Sequence, residues 1–234
     1  MAEETAESSN RLERRKARVR AGASVAEVGA SRLDRRKART RGSLVAAART
    51  LLASRDPAEV SIQEITDAAD VGFGSFYNHF HSKQDLFDAA VEEVLEEHGV
   101  MLDAATAGIA DPAEVFAAAI RMTARLPKTQ PQLARTFQRI GFELLVAPRG
   151  LAPRARRDLQ RAEAAGRFTI DDLDVALAGA TGALLGVLHL ASTNATPAAI
   201  DGAADQLAAN LLRMFGVPAD EASRIARCRL PQAA

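Results

Sequence analysis

The side chains in this chain that could do chemistry are mostly cations, and they gather at one end. Arg11-Leu-Glu-Arg-Arg-Lys-Ala-Arg-Val-Arg20 recurs 21 residues later as Arg32-Leu-Asp-Arg-Arg-Lys-Ala-Arg-Thr-Arg41. Residues 11–41 hold 12 Lys and Arg against three acids, a net of +9, while the 234-residue chain as a whole is neutral. Guanidinium groups at that density neutralise phosphates, so they point to a polyanionic partner near the N-terminus. Further on, Gly72-Phe-Gly74-Ser-Phe-Tyr77-Asn-His79-Phe-His81 offers hydroxyl, amide and imidazole groups. Catalytic chemistry finds no support. His79 and His81 are two apart and face different sides of a helix, with no nearby Cys or Glu to complete a metal site. Gly72-x-Gly74 lacks the third glycine of a dinucleotide fingerprint. Asp171, Asp172 and Asp174 stand at a helix start, where they offset its dipole. Phosphate-binding loops, zinc-protease motifs and nucleophile elbows are missing from the sequence. The sequence therefore predicts no enzyme activity, no metal and no cofactor.

Helices must position these groups. Leu44, Ala48, Leu51 and Leu52 share one face of a helix that ends near Asp56-Pro57, because proline disfavours helix in the residue before it. Ser61-Ile-Gln-Glu64 reads as a capping box that opens a second helix, with Ile62, Ile65, Ala68 and Ala69 on its inner face. Asp70-Val71-Gly72 interrupts it, and a third helix is expected from about Phe73 to Phe80. Ser82-Lys-Gln-Asp85 opens a fourth, running to about Leu102. Two short helices joined by a tight turn and packed on a longer one describe a helix-turn-helix, whose second helix enters a DNA major groove.

Ile65-Thr-Asp-Ala-Ala-Asp-Val71, followed by Gly74-Ser-Phe-Tyr77-Asn-His-Phe80-His-Ser82-Lys83-Gln-Asp-Leu86, resembles the DNA-binding signature of the TetR family of bacterial regulators. The chain departs from that signature at Asp70, usually glycine, and at Gly72, usually serine. It also departs at Ser75, Phe76 and Gln84, usually threonine, leucine and glutamate. The resemblance implies an all-α fold, with a three-helix DNA-binding domain over 32–80 and a helical ligand-binding and dimerisation domain over 81–234. A basic arm, 1–31, precedes them. It implies that Tyr77, His79 and Lys83 bind phosphates, joined by Asn78. Phe73, Gly74 and Ser75 stand at the start of the recognition helix, the end that meets base edges. There Gly74 lets the backbone come close, Ser75 can hydrogen-bond a base or phosphate, and Phe73 can touch a thymine methyl. Ser61 and Gln63 begin the second helix and can reach phosphate. Arg35, Arg36, Lys37, Arg39 and Arg41 of the second basic copy lead into the first helix and lie beside the duplex. Arg14, Arg15, Lys16 and Arg18 of the first copy are expected along phosphates or in a narrow minor groove.

The rest of the chain reads as helix. Asp111-Pro starts one that ends near Leu126, and others follow over Pro131–Ala147, Arg154–Gly166, about Asp171–Ser192, Pro197–Phe215 and Pro218–Arg227. The family places its dimer interface on the last two long helices, here about Asp171–Ser192 and Pro197–Phe215. Gly179, Gly182, Ala183 and Gly186 let another helix approach the first of these closely. An effector pocket is expected among Phe116, Ile120, Met122, Phe137, Arg139, Phe142, Leu145, Phe168, Leu184, Leu188 and His189. Aromatic residues are 4% of the chain and there is no Trp, which favours an aliphatic or amphipathic effector over a caged cation. The expected function is a repressor released from a pseudo-palindromic operator by a small ligand. The alternative is a ligand-independent or architectural DNA binder relying on its basic arm. The lone Cys228 and the lack of an apolar N-terminal run fit a cytoplasmic protein. The longest apolar run, Val175 to Leu188, is shorter than the ~20 residues that span a bilayer, so no membrane partner is expected.

Overall fold

A computed structural model describes residues 32–145, 149–193 and 196–231, which therefore leaves Arg14, Arg15, Lys16 and Arg18 outside the described residues. Every regular element among the described residues is helical. Helix α1 covers residues 32–52 and begins twelve residues before Leu44. Leu44, Val45, Ala48 and Leu52 are buried along it, but the second basic copy that forms its first turns lies in solvent. Arg, Lys and Ala are strong helix formers, so this stretch needs no packed face to continue the helix outward. After α1, the Asp56 side chain accepts from the Ala58 N–H and starts a 3-10 turn, Pro57–Glu59.

Helix α2, Ile62–Ala68, has the expected capping box. Ser61 Oγ accepts from the Glu64 N–H, and Glu64 accepts from the Ser61 N–H. It ends in a Schellman motif: the Val71 N–H reaches the Thr66 carbonyl and the Asp70 N–H reaches the Asp67 carbonyl. That geometry puts Asp70 at φ +53, where glycine is the usual residue. Helix α3 is only Phe73–Phe76, shorter than the expected Phe73 to Phe80. Asn78 and His79 donate to carbonyls three residues back, so the chain tightens into turns before Phe80.

Helix α4, Lys83–Thr106, links two cores. Its start, at Leu86, Phe87 and Ala90, packs with Leu44, Leu52, Ile65, Phe76 and Phe80 into the core of the head. Its later residues Val94 and Leu95 join the body's core. The domain division drawn at residue 80 thus falls just before a helix that belongs to both halves.

The body contains α5 (Pro112–Ala124), α6 (Leu126–Thr129), α7 (Pro131–Ile140), α8 (Leu151–Ala164), α9 (Leu173–Ser192), α10 (Pro197–Met214) and α11 (Ala219–Ile225). Helix α7 stops at Ile140, short of the expected Ala147. Gly141 follows at φ +56 and leads into a 3-10 turn, Gly141–Leu145. Helix α8 begins at Leu151, three residues before the expected Arg154. Its Pro153 lies in the first turn, where no backbone N–H is needed. Phe116, Phe168 and Phe215 meet with ring centroids 5.1–5.6 Å apart and pin α5, the α8–α9 connection and the end of α10 together. Across α5 and α10, the buried Arg121 donates from Nε to Asp205 at 2.7 Å and from Nη1 to the Cys228 carbonyl at 2.7 Å.

Candidate nucleic-acid interface and a cavity in the body

One face of the head collects most of the residues expected to meet DNA. Phe73, Gly74, Tyr77 and Asn78 are exposed, and Ser75 and His79 are half-buried. Fully buried Phe76 anchors the short helix, 6.0 Å from Phe80 between ring centroids. Arg35, Arg36, Lys37, Arg39 and Arg41 project from the outward end of α1. The Arg41 guanidinium sits 5.0 Å over the Phe80 ring, within cation–π range. Asp34, Lys37, Arg41, Asn78 and His79 line one notch, so the basic extension adjoins the end of the recognition segment. Burial, with the nearby Lys37 and Arg41 charges, lowers the His79 pKa. This notch is cationic and open, the character a phosphate contact requires.

Three expected phosphate contacts have local partners. Lys83 Nζ donates to the Ala58 and Val60 carbonyls at 3.0 and 2.7 Å, tying the start of α4 to the segment before α2. An ammonium has three donors, so one is left for another acceptor. Ser61 Oγ donates to Glu64 while serving as the cap, and Gln63 donates to Asp67 at 2.7 Å. Within α2 these side chains already do structural work.

The body holds a partly open cavity of about 80 Å³ between α4, α5, α8, α9 and the 3-10 turn. Phe116, Ile120 and Leu184, expected from the sequence, line it together with Leu102, Leu144 and Leu177. The other expected lining residues lie elsewhere. Phe137 stacks edge-on against His98, Phe168 belongs to the aromatic trio, and Leu188 is wholly buried in the core. Met122 and Leu145 are half-buried away from the cavity. Arg139 lines a separate groove that Leu52 and Phe87 of the head also line, while Phe142 and His189 face solvent. Periodicity put these residues on apolar helices without specifying which neighbour each face would meet.

Sequence reasoning missed the cavity's polar wall. Asp103, Thr106, Thr123, Arg154, Asp158 and Thr181 line it. Asp158 is 7% exposed and accepts from the Arg157 Nε at 2.9 Å. Burial pushes its carboxyl pKa up, only partly offset by Arg157. Burial also raises Asp103, but hydrogen bonds from Arg157 and Arg154 outweigh it and leave that carboxyl below its ordinary value. Arg154 donates to Asp103 at 2.7 Å and, through both terminal nitrogens, to Glu96 at 2.8 and 2.9 Å. Those two acids flank Gly99 on α4, and a Cβ at Gly99 would lie 2.8 Å from Arg154 Cδ. The only signal in the sequence was that Arg154 and Asp158 stand four apart, one turn of a helix otherwise rich in exposed charge.

Ion pairs carry α4 onward to the head. Arg49 of α1 binds Glu97 in a two-nitrogen fork, and Arg41 lies 3.8 Å from Glu93. One exposed face of the body is apolar. Val175 and Leu190 of α9 are 68% and 67% exposed, with Phe142 beside Gly182 and Met214 beside Gly179.

A cationic helix-turn-helix head joined through one shared helix to an all-helical body with an internal cavity defines a two-domain DNA-binding regulator. Residues 44–90 match the family model "Bacterial regulatory proteins, tetR family", and residues 111–228 match "Tetracyclin repressor-like, C-terminal domain". The chain belongs to the TetR family of bacterial transcriptional regulators. Among solved structures, RolR in complex with the ligand resorcinol is 34% identical, with a TM-score of 0.63 over 86% of this chain and 100% of that one. RolR without ligand is 38% identical, with a TM-score of 0.67 over 82% of this chain and 100% of that one. An uncharacterized HTH-type transcriptional regulator of Mycobacterium tuberculosis is 32% identical over 91 residues. That match spans 39% of this chain and 45% of the relative, under half of its length.

Proposed function

We propose that the chain is a dimeric, cytoplasmic repressor that leaves its operator when a small hydroxylated aromatic compound enters the cavity. The observation that carries this reading is the buried Asp158 carboxylate in a cavity whose polar wall faces apolar side chains of α5 and α9. A ring needs apolar walls, and a phenolic hydroxyl needs an acceptor away from competing water. The cavity volume, about 80 Å³, is about half the ~150 Å³ that accommodates benzene in an engineered protein cavity, so its walls must spread for a ring to enter. Resorcinol, the ligand of RolR, has this chemistry. This refines the aliphatic or amphipathic effector expected from composition: a single ring needs no aromatic cage.

Release follows from what the effector displaces. A hydroxyl that donates to Asp103 or Asp158 competes with Arg154 and Arg157 for those carboxylates. Loosening Arg154 frees α4 from α8, and Arg49 passes the shift in Glu97 to α1. Binding favours the head spacing that does not fit DNA, and the population moves off the operator. Tyr77, Asn78, His79, the third Lys83 donor and the α1 cations contact phosphates, while Phe73, Gly74 and Ser75 face base edges. A second copy covers the apolar face of α9, with α10 completing the interface. Two recognition segments then stand about one DNA turn (~34 Å) apart on a pseudo-palindromic site. Although α9 is 20 residues long with mean hydropathy 1.7, enough by length and composition to cross a bilayer, burial against a partner accounts for that face as well.

Calorimetric titration of the full chain with resorcinol, beside release of a fluorescent operator duplex, tests this reading. Resorcinol is expected to bind and to release DNA. Asp158→Asn keeps the shape and should weaken binding about 10- to 100-fold, the usual weight of a hydrogen bond to a charged group. Equal affinity in Asp158→Asn, or no binding by any dihydroxybenzene, would refute it.

A further inference from the structure

The DNA-facing surface carries an aromatic ridge that readout by hydrogen bonds leaves unused. Phe73, the first residue of α3, is 47% exposed, and Tyr77, one turn later, is 55% exposed. Their rings meet edge to face with centroids 6.0 Å apart. On its other side Tyr77 meets the wholly buried Phe76, again edge-on, at 5.3 Å. Tyr77 is therefore held between a core ring and a surface ring, and Phe73 is held by Tyr77. Gly74 leaves the neighbouring surface open, since a Cβ there would meet nothing within 4 Å. Half-exposed phenylalanine on a reading helix has no donor or acceptor to offer a base. In the major groove the apolar group at a base edge is the thymine C5-methyl.

We propose that Phe73 is a specificity-determining residue that reads the C5-methyl of a thymine in each operator half-site, with Tyr77 fixing its ring. The inference rests on docking of α3 in the major groove, and it adds the base and the atom that is read. Phe73 lies at the N-terminal end of α3, which enters the groove first. Ser75, half-buried, supplies the hydrogen-bonding contact beside it. An apolar ring over a cytosine edge would face an amino group stripped of its water, so the same ridge discriminates against cytosine at that position.

The full chain is used to select binders from duplexes with a randomised central region. The enriched sequences should carry thymine at symmetry-related positions in both halves. Each thymine is then replaced by uracil, which removes one methyl and leaves the pairing unchanged. Burial of one methyl predicts a loss of about three- to fivefold per half-site, and about tenfold or more when both are changed. Phe73→Ala should bind thymine and uracil operators alike, and its thermal midpoint should match the parent because the ring is exposed. Phe73→Leu should keep most of the preference, while Tyr77→Phe should keep the ridge and bind both operators more weakly. Indifference of the parent protein to uracil at every position would overturn the proposal, as would an undiminished uracil penalty in Phe73→Ala. Failure of the parent to enrich any sequence would overturn operator recognition itself and this inference with it.

Discussion

Alanine at Gly150 probes the junction between the body's cavity and the helix that reaches the head. Gly150 sits at φ +82 and ψ −125 just before α8. A Cβ there would lie 2.4 Å from Leu95 Cβ, 2.8 Å from the Leu95 carbonyl carbon and 3.0 Å from its oxygen. The backbone contribution alone is about 1–3 kcal/mol, because φ +82 with ψ −125 lies outside the small left-handed α region open to L-residues. The steric contribution cannot be relieved by a rotamer change, because the obstacle is the middle of α4, so α8 must move outward. Overpacking of this kind costs about 1–3 kcal/mol, giving a total of about 2–6 kcal/mol. The movement also draws Arg154 away from Glu96, whose carboxylate accepts from the Gly150 N–H at 3.0 Å. Urea unfolding followed by far-ultraviolet circular dichroism measures the first effect, and resorcinol titration the second. Gly166→Ala is the control: φ is +68 there, but a Cβ would meet nothing within 4 Å, so only the backbone contribution remains. If Gly150→Ala loses no more stability than Gly166→Ala, the close packing of α8 on α4 is not as described.

Two further expectations concern the head and the buried histidine. Asp70→Gly should raise stability by roughly 0.5 kcal/mol, as relief of the left-handed strain exceeds the added chain entropy, whereas Asp70→Val should lower it; thermal melts of both settle the sign. Burial holds the His98 pKa at about 4 against an ordinary 6.5, so the unfolded chain takes up its proton first as the pH falls. Stability is therefore full above pH 6.5 and declines between 6.5 and 4, by up to about 3 kcal/mol. Glu64, lowered to about 2 by the Ser61 N–H and Arg55, and Glu96, lowered to about 2 by Arg154, lose their contributions only below about 4.5. In the interval from 6.5 to 4.5 His98 acts with His79, whose pKa is also lowered, so His98→Gln should lessen, without abolishing, the loss of stability across it. An unchanged slope in that variant would mean that the imidazole does not titrate as described.

His98 also shows how a polar group can join two compartments. Thr123 donates its hydroxyl proton to the Ala119 carbonyl at 2.9 Å, so at its 3.0 Å contact with His98 it accepts from Nε2. Thr123 lines the body's cavity, and His98 lines the groove between α1, α4 and α7. Neither residue stood out in the sequence, because a lone histidine and a lone threonine on apolar helices look like ordinary core.

Local chemistry was legible from the chain itself. The Ser61–Glu64 box, the Asp111-Pro112 start and the aromatic spacing of Phe76 and Phe80 depend on neighbours within about one helical turn. Sequence therefore determined the helical class, the head and the residues it turns outward. The departure at Asp70 was equally visible, but its left-handed backbone emerged only with the Schellman turn. Tertiary structure alone decided which apolar faces met. It put Asp103 of α4 beside Arg154 and Arg157 of α8, 51 and 54 residues away. It also left Phe142 and His189 at the surface and stopped α3 at Phe76. Helical periodicity determines which side chains share a face, but the partner of that face is set by packing between segments distant in sequence.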